Sequence, residues 1–253
     1  MTRSHAQLKD AARDSLAGNY MLYFIVLVIT GILTGLANQL VSCLIWPFSG
    51  TGVIVLTIVN LVLDFLVMIL AKMFQAGQYF LSLNIARGNR VSVSDLFLAF
   101  RYDTPKALAL CTVLAAAETV CLAPFTICLS GLVYTGAFGV NARAAVSVSV
   151  MVVLLLCSLA GMVILEVLIV FPISQALFLY IDHQEYSMSE CLSGSRELMR
   201  GRISDFFLLH LSLIGYFALS ILSLGVGLVW TLPYLNTVRA DYYMDLSGSF
   251  KPY

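Results

Sequence analysis

Six long apolar runs dominate this sequence. They lie at about 20–46, 52–83, 106–133, 145–181, 203–223 and 225–243. An α-helix needs roughly 20 mostly apolar residues to cross about 30 Å of hydrocarbon, so each run is long enough to span a bilayer. Only 11% of the 253 residues are charged and 60% are hydrophobic, whereas soluble domains carry about 25% charged residues. The sequence therefore predicts an all-α, polytopic membrane protein with six transmembrane helices.

The placement of basic residues predicts the topology. Twelve of the 14 Lys and Arg residues lie near the two termini, between runs two and three, or between runs four and five. The remaining breaks, at 46–52, 134–143 and 223–227, are short and hold a single basic residue. By the positive-inside rule, both termini are expected on the cytoplasmic side. A net charge of zero gives no overall field that would attract nucleic acid.

Three similar segments precede the hairpins that the apolar runs form. They read SHAQLKDAARDSLAGN, SVSDLFLAFRYDTPKA and SMSECLSGSRELMRGR, and they start at Ser4, Ser92 and Ser187. Each serine is followed three residues later by a residue that can complete a helix-capping box, and these partners are Gln7, Asp95 and Glu190. The pattern predicts three pseudo-repeats in one transmembrane domain over 1–253, each an amphipathic interfacial helix followed by a helical hairpin. The repeat units are approximately 4–90, 92–185 and 187–246.

Each of these segments also carries an arginine nine residues after its serine, and the three are Arg13, Arg101 and Arg196. An amphipathic segment of this kind lies in the membrane plane with its apolar side in the headgroup boundary. The arginines are then either positive-inside anchors or a convergent set that holds an anionic headgroup or a peptide carboxylate.

Four charged residues lie inside the first four apolar runs, away from the ends of the runs, and these are Asp64, Lys72, Glu118 and Glu166. A charge at the centre of a membrane helix costs roughly 2.5–3.5 kcal/mol on insertion scales, so such residues mark candidate functional sites. One hypothesis pairs Lys72 with Glu166 or Glu118 inside the bundle. A second lets Lys72 and Glu166 reach the inner surface along tilted helices. A third is a proton or cation route through the three carboxylates.

Amide side chains also occur within the runs, and the candidates for hydrogen bonds inside the bundle are Gln78, Gln175 and Asn236. We expect them to join helices rather than to bind a ligand. Pro172 and Pro233 interrupt two runs, and the carbonyl groups that a proline frees can line a cavity.

Several segments resemble a known family. They are AARDSLAGNY at 11–20, QAGQYFLSL at 75–83, and SRELMRG, FFLLHLSLIGY, LGVGLVW and PYLNTVRADYY between 195 and 243. Together they resemble the bacterial integral-membrane family described as domain of unknown function 975. The resemblance implies a multi-pass protein of the bacterial plasma membrane. It implies no established activity, so no residue inherits a catalytic role.

No catalytic signature accompanies these features. The chain lacks a phosphate-binding glycine loop, HExxH and GxSxG, and its six cysteines occur singly without a CxxC pair. We therefore expect no enzyme, no metal and no cofactor. The sequence favours a noncatalytic membrane-embedded binding or accessory protein for lipid, peptide or a transporter partner. The alternative is a small secondary carrier or channel that uses the intramembrane carboxylates. Expected partners are membrane lipids and either a protein partner or a second copy of the chain.

Overall fold

The computed structural model describes residues 4–45, 53–137 and 142–248, and in these ranges the chain is helical and contains no β-strand. A 3-10 turn at Val93–Phe97 precedes the fourth α-helix, and a π-helical turn at Glu166–Val170 follows the sixth. In chain order the α-helices of the described residues are α1 (His5–Leu16), α2 (Tyr20–Ile45), α3 (Val53–Ala86), α4 (Leu98–Arg101), α5 (Thr104–Ala137), α6 (Ala142–Leu165), α7 (Phe171–Ile173), α8 (Ala176–Asp182), α9 (Met188–Met199), α10 (Ile203–Leu211), α11 (Ile214–Leu222) and α12 (Leu228–Ser247).

Five stretches of the described chain are long and apolar enough to cross a membrane, which indicates a multi-pass membrane protein. They are Tyr20–Leu44, Leu61–Ala86, Thr104–Leu129, Val152–Asp182 and Ile203–Leu222. The sixth predicted run forms α12, which is not among them because Arg239, Asp241 and Asp245 lower its hydropathy. Most of α12 between Thr231 and Met244 is buried inside the protein. A helix that other helices surround does not need an apolar exterior.

Two predicted runs are not single regular helices. The fourth passes from α6 through the π turn into α7 and α8, and Pro172 lies at the start of α7. A proline inside a helix removes one backbone donor and clashes with the preceding turn. The buried hydroxyl of Ser195 on α9 repairs this break, because it donates to the carbonyl of Pro172 at 2.9 Å and accepts from the backbone N–H of Gln175 at 3.1 Å. The fifth run changes from α10 to α11 at Ser212 and Leu213.

The short breaks predicted at 46–52 and 134–143 lie wholly or partly outside the described residues. The third, at 223–227, is a tight connection between α11 and α12, where the backbone N–H of Gly227 donates to the hydroxyl of Ser223 at 2.8 Å.

The three predicted capping boxes are confirmed. The backbone N–H of the opening serine donates to Gln7 Oε1 at 2.9 Å, to Asp95 Oδ2 at 2.8 Å and to Glu190 Oε2 at 2.7 Å. The helices that follow differ, however. The first and third starts open the twelve-residue helices α1 and α9, which end before Gly18 and Gly201 at φ +91° and +73°. The second opens only the 3-10 turn and the four-residue α4, so it departs from the other two.

The apolar side of α1 packs on protein, which differs from its expected position in the headgroup boundary. Leu8, Ala12 and Leu16 are at most 1% exposed and belong to a core cluster with residues of α3 and α12. Another side of α1 contacts α10 and the residue after it. His5 Nε2 lies 2.8 Å from Asp205 Oδ1, and Lys9 Nζ donates to the carbonyl of Ser212 at 3.2 Å. The apolar pattern of α1 is therefore a core-packing pattern.

The packing divides the molecule into two halves. The packed half contains α1, α8, α9, α12 and residues 69–86 of α3, whose apolar side chains form two buried clusters. The open half contains α2 from Val28 to Leu44, residues 150–165 of α6, and α11. Its large apolar side chains are exposed, and examples are Leu40, Leu156 and Ile221 at 64%, 60% and 74%. The candidate site lies where α3, α5 and the π turn meet the packed half.

Candidate functional site

A cavity of about 70 Å³ lies between α3, α5, the π turn, α7, α8, α10 and α12. A space of this size can hold a few water molecules or a small polar group. Its polar lining consists of Lys72, Gln75, Tyr79, Glu118, Glu166, Ser174, Gln175 and Arg239. Three of the four charged residues that the sequence analysis singled out therefore meet here.

Lys72 on α3 forms an ion pair with Glu118 on α5. The ammonium group of Lys72 also donates to Gln75 Oε1 at 2.8 Å. The side chains of Lys72 and Glu118 are 11% and 24% exposed. Two partly buried charges repay their desolvation only when they are paired and hydrogen-bonded. Pairing of Lys72 within the bundle is thus confirmed, with Glu118 as the partner rather than Glu166.

Arg239 on α12 extends this network across the cavity. Its Nη1 donates to the hydroxyl of Tyr79 at 2.8 Å, and its Nε and Nη2 lie 3.1 and 2.9 Å from Nε2 of His210. His210 Nδ1 lies 2.9 Å from the carbonyl oxygen of Phe206, which can only accept, so Nδ1 carries the proton and Nε2 is an acceptor. A neutral imidazole therefore holds the guanidinium group.

Tyr79 connects the two parts of the network, because Gln75 Nε2 also donates to its hydroxyl at 3.1 Å. Sequence reasoning missed the roles of Arg239 and His210. The available signal was an arginine inside an apolar run, at Arg239.

Two acceptors of the cavity lack a donor. Glu166, the first residue of the π turn, makes no hydrogen bond or ion pair with the described residues, although Lys72 and Arg239 lie within electrostatic reach. Gln175 is 1% exposed, and its Oε1 has no partner within the described part of the chain. Its Nε2 donates to the hydroxyl of Ser174 at 3.1 Å.

The orientation of the Gln175 amide follows from Ser174. The Ser174 hydroxyl donates its one proton to the carbonyl of Phe171 at 2.7 Å, so toward Gln175 it can only accept. The amide nitrogen must therefore face Ser174, which leaves the oxygen as the free acceptor. Gln175 was expected to join helices, but its side chain bonds only to its sequence neighbour.

The other two predicted amides do join helices, in a separate network. Asn236 Nδ2 on α12 donates to Gln78 Oε1 at 3.3 Å and to the hydroxyl of Tyr23 at 2.9 Å. Gln78 Nε2 donates to Thr30 Oγ1 on α2 at 3.2 Å. This network ties α2, α3 and α12 together beside the cavity.

The remaining predicted residues lie away from the cavity. Asp64 is exposed on α3, eight residues before Lys72, which is about 12 Å along the helix. Arg13, Arg101 and Arg196 are all exposed, on α1, α4 and α9. Arg13 lines a separate cleft of about 120 Å³ with Tyr216 and Trp230, and neither of the other two arginines lines that cleft.

The arrangement suits binding of a polar group. It offers two carboxylates, a free amide oxygen and two cations around a space that is partly shielded from water. Among the residues that the structure describes, no group of three or more His, Cys, Asp or Glu side chains could hold a metal ion.

These features define an all-helical membrane protein with a charged network and a small polar cavity inside its bundle. The chain belongs to the family described as protein of unknown function (DUF975), whose model matches residues 1–249. Comparison with curated proteins and with solved structures gives no significant match.

Proposed function

We propose that this protein is a membrane-embedded binding protein that holds the polar part of a ligand in the central cavity without reacting with it. The observation that carries the proposal is the convergence of Lys72, Glu118, Glu166 and Arg239, from four separate segments, on one cavity. Charged side chains are costly inside membrane segments and usually mark binding sites or pathways there.

The hydrogen bonds favour binding over catalysis. Lys72 is committed to Glu118 and Gln75, and the lone pair of His210 accepts from Arg239. A general base needs a free lone pair within reach of the substrate. Neither nitrogen offers one, so Lys72 and His210 are suited to positioning a ligand rather than to removing its proton.

The proposal includes six membrane crossings with both termini in the cytoplasm of a bacterium. The 20 residues of α12 would extend about 30 Å, which is enough for a crossing. Two contacts support an even number of crossings. His5, near the N-terminus, and Tyr242, near the C-terminus, both contact Asp205, at 2.8 and 3.2 Å. The three shared capping boxes support an origin in three repeats.

A secondary carrier is the second candidate function. The π turn and Pro172 interrupt the membrane helix beside the cavity, and carriers bind substrates at such discontinuous helices. Asp64 lies outside the cavity, which argues against a proton or cation route through all three carboxylates. Proton or solute flux in liposomes that Glu118→Gln abolishes would favour the carrier.

The binding function is tested by filling the cavity. Val170 lines the cavity and is 9% exposed, whereas Val163 on α6 is 40% exposed. Native mass spectrometry of the purified full chain should detect a co-purified ligand in the wild type and in Val163→Phe, but not in Val170→Phe. Retention of the same adduct by Val170→Phe would contradict binding in this cavity. A stoichiometric partner protein in the same spectra would support an accessory role.

A further inference from the structure

We infer that the cavity binds the primary ammonium group of a zwitterion. This inference rests on the proposed binding function and names the chemistry of the ligand. The starting point is the pair of acceptors without donors, Glu166 and Gln175 Oε1. Gln175 Oε1 is buried and Glu166 is half-buried, and an acceptor that is shielded from water without a donor is destabilising. A ligand that fits this end of the cavity must therefore bring N–H or O–H donors.

The charge balance favours a zwitterion over a simple cation. Lys72 and Arg239 supply two formal positive charges to the lining and Glu118 and Glu166 supply two formal negative charges, so the formal charge of the lining sums to zero. A simple cation would leave one uncompensated charge in a poorly solvated site. A zwitterion keeps the site neutral, because its anionic end compensates its own ammonium group.

The lining of the cavity also offers donors for that anionic end. Arg239 has five N–H groups, and three of them are directed to Tyr79 and His210. Two N–H groups remain. The hydroxyl oxygen of Tyr79 already receives hydrogen bonds from Arg239 and Gln75, so its own proton is also left to donate.

The surroundings of the cavity allow the ligand to be a lipid headgroup. The side chain of Glu118 is 24% exposed, so the polar site reaches the surface of the protein. Leu168 and Ile169 on the π turn are 65% and 37% exposed and form an apolar surface beside it. Acyl chains could lie on this surface while the headgroup enters. A free zwitterion of the same chemistry would use the same polar contacts.

The test compares ligands whose ammonium group either carries N–H donors or is fully methylated. The soluble pair is glycerophosphoethanolamine and glycerophosphocholine, which are net-neutral phosphodiesters, and the lipid pair is a phosphatidylethanolamine and a phosphatidylcholine with identical acyl chains. A trimethylammonium group has no N–H and cannot satisfy Glu166 or Gln175. Binding to the full chain in detergent should be at least about tenfold tighter for the primary ammonium member of a pair. Preference in the lipid pair alone identifies a lipid ligand, and preference in the soluble pair identifies a free zwitterion.

Variants then assign the preference to the two acceptors. Glu166→Gln and Gln175→Leu should each reduce the preference toward onefold, and Gln175→Leu keeps the backbone N–H that bonds Ser195. The matched control is Glu197→Gln, because Glu197 is exposed on α9, and it should retain the full preference.

The comparison of ligand binding by the wild-type chain does not depend on whether a variant folds. Equal binding within both pairs overturns the ammonium inference, while loss of the adduct in Val170→Phe would still support the proposed function. A preference that survives both acceptor variants also overturns the inference. Absence of binding in both pairs, together with no effect of Val170→Phe, overturns the proposed function itself.

Discussion

The packed half and the open half of this molecule use the same kinds of residues for different purposes. In the packed half, Leu8, Leu81, Phe178 and Tyr243 are almost completely buried by other side chains. In the open half, Leu36, Leu44 and Leu222 present 57%, 60% and 80% of their surface to the surroundings. The first set is enclosed by protein, and the second set requires an apolar solvent.

This difference between the two halves indicates where charged side chains are tolerated. The ion pair of Lys72 and the Arg239–His210 contact lie within or beside the packed half, where neighbouring helices supply hydrogen-bond partners. Within residues 28–44 of α2 and 150–165 of α6 there are no charged residues. Lipid-facing backbone and side chains have no such partners. Stability should therefore respond strongly to substitutions in the packed half and weakly to matched ones outside it.

The largest expected effect is that of Lys72→Met, because it leaves Glu118 without its cation. Loss of one member of a buried pair typically costs about 3–5 kcal/mol, and the partial exposure of this pair points to the lower end. The double variant Lys72→Met/Glu118→Leu should recover part of the loss in unfolding titrations in mixed micelles. Asp64→Asn, at an exposed carboxylate of the same helix, should change stability by less than about 0.5 kcal/mol. Equal losses in the single and double variants would contradict the pairing.

The next largest effect should come from Gly77→Ala on α3. A methyl group there would lie 2.0 Å from the carbonyl oxygen of Leu96, so α3 and the 3-10 turn would have to separate. Overpacking of this kind costs about 1–3 kcal/mol. The control is Gly35→Ala on α2, where the added methyl group meets no atom within 4 Å and alanine's better helix propensity should leave stability unchanged or slightly raised. Similar melting temperatures for the two variants would show that the contact is not constraining.

A smaller loss is expected for Ser195→Ala. Removal of this hydroxyl leaves the carbonyl of Pro172 and the N–H of Gln175 without their partner, at a cost of about 1–3 kcal/mol. Ser193→Ala on the same helix removes only an exposed hydroxyl that bonds the carbonyl of Glu190 at 3.2 Å. The thermal stability of the two purified variants should differ accordingly, and equal stability would argue against the bridging role of Ser195.

The smallest effect concerns pH and the start of α9. Hydrogen bonds from Ser187 hold the pKa of Glu190 below its ordinary value of 4.5. A carboxylate with a lowered pKa stabilises the fold above that ordinary value, and its contribution is lost as the pH falls through the lowered pKa. Glu190→Gln should therefore reduce the loss of folding stability that occurs as the pH falls in a measured curve of stability against pH. The corresponding residue of α1 is Gln7, which does not titrate, so Gln7→Glu should add to the acid limb.

Much of the fold could be predicted because it follows from local chemistry. Apolar length fixed the positions of α2, α3, α5 and α12 to within a few residues, and a serine with a partner three residues later marked each of the three capped starts. The partner of Lys72 was one of two expected residues, since few carboxylates occur inside the apolar runs.

The parts that could not be predicted depend on contacts between distant segments. The apolar pattern of α1 is the same whether it faces lipid or protein, and only the proximity of α12 decides between them. Similarly, nothing near Ser195 in the sequence indicates that it completes the broken helix at Pro172. The sequence shows that Gln175 is an amide within an apolar run, but not that its oxygen lacks a donor.

The Ser195 bridge also joins the cavity to the outside of the bundle. The Ser195 hydroxyl on α9 bonds both the carbonyl of Pro172 and the backbone N–H of Gln175. A ligand that binds the Gln175 side chain should therefore also affect α9. Amide hydrogen exchange in α9 should therefore slow when the cavity is filled, and Ser195→Ala should uncouple the two. Through the Ser195 hydroxyl, α9 would respond to binding of a ligand at a site inside the membrane.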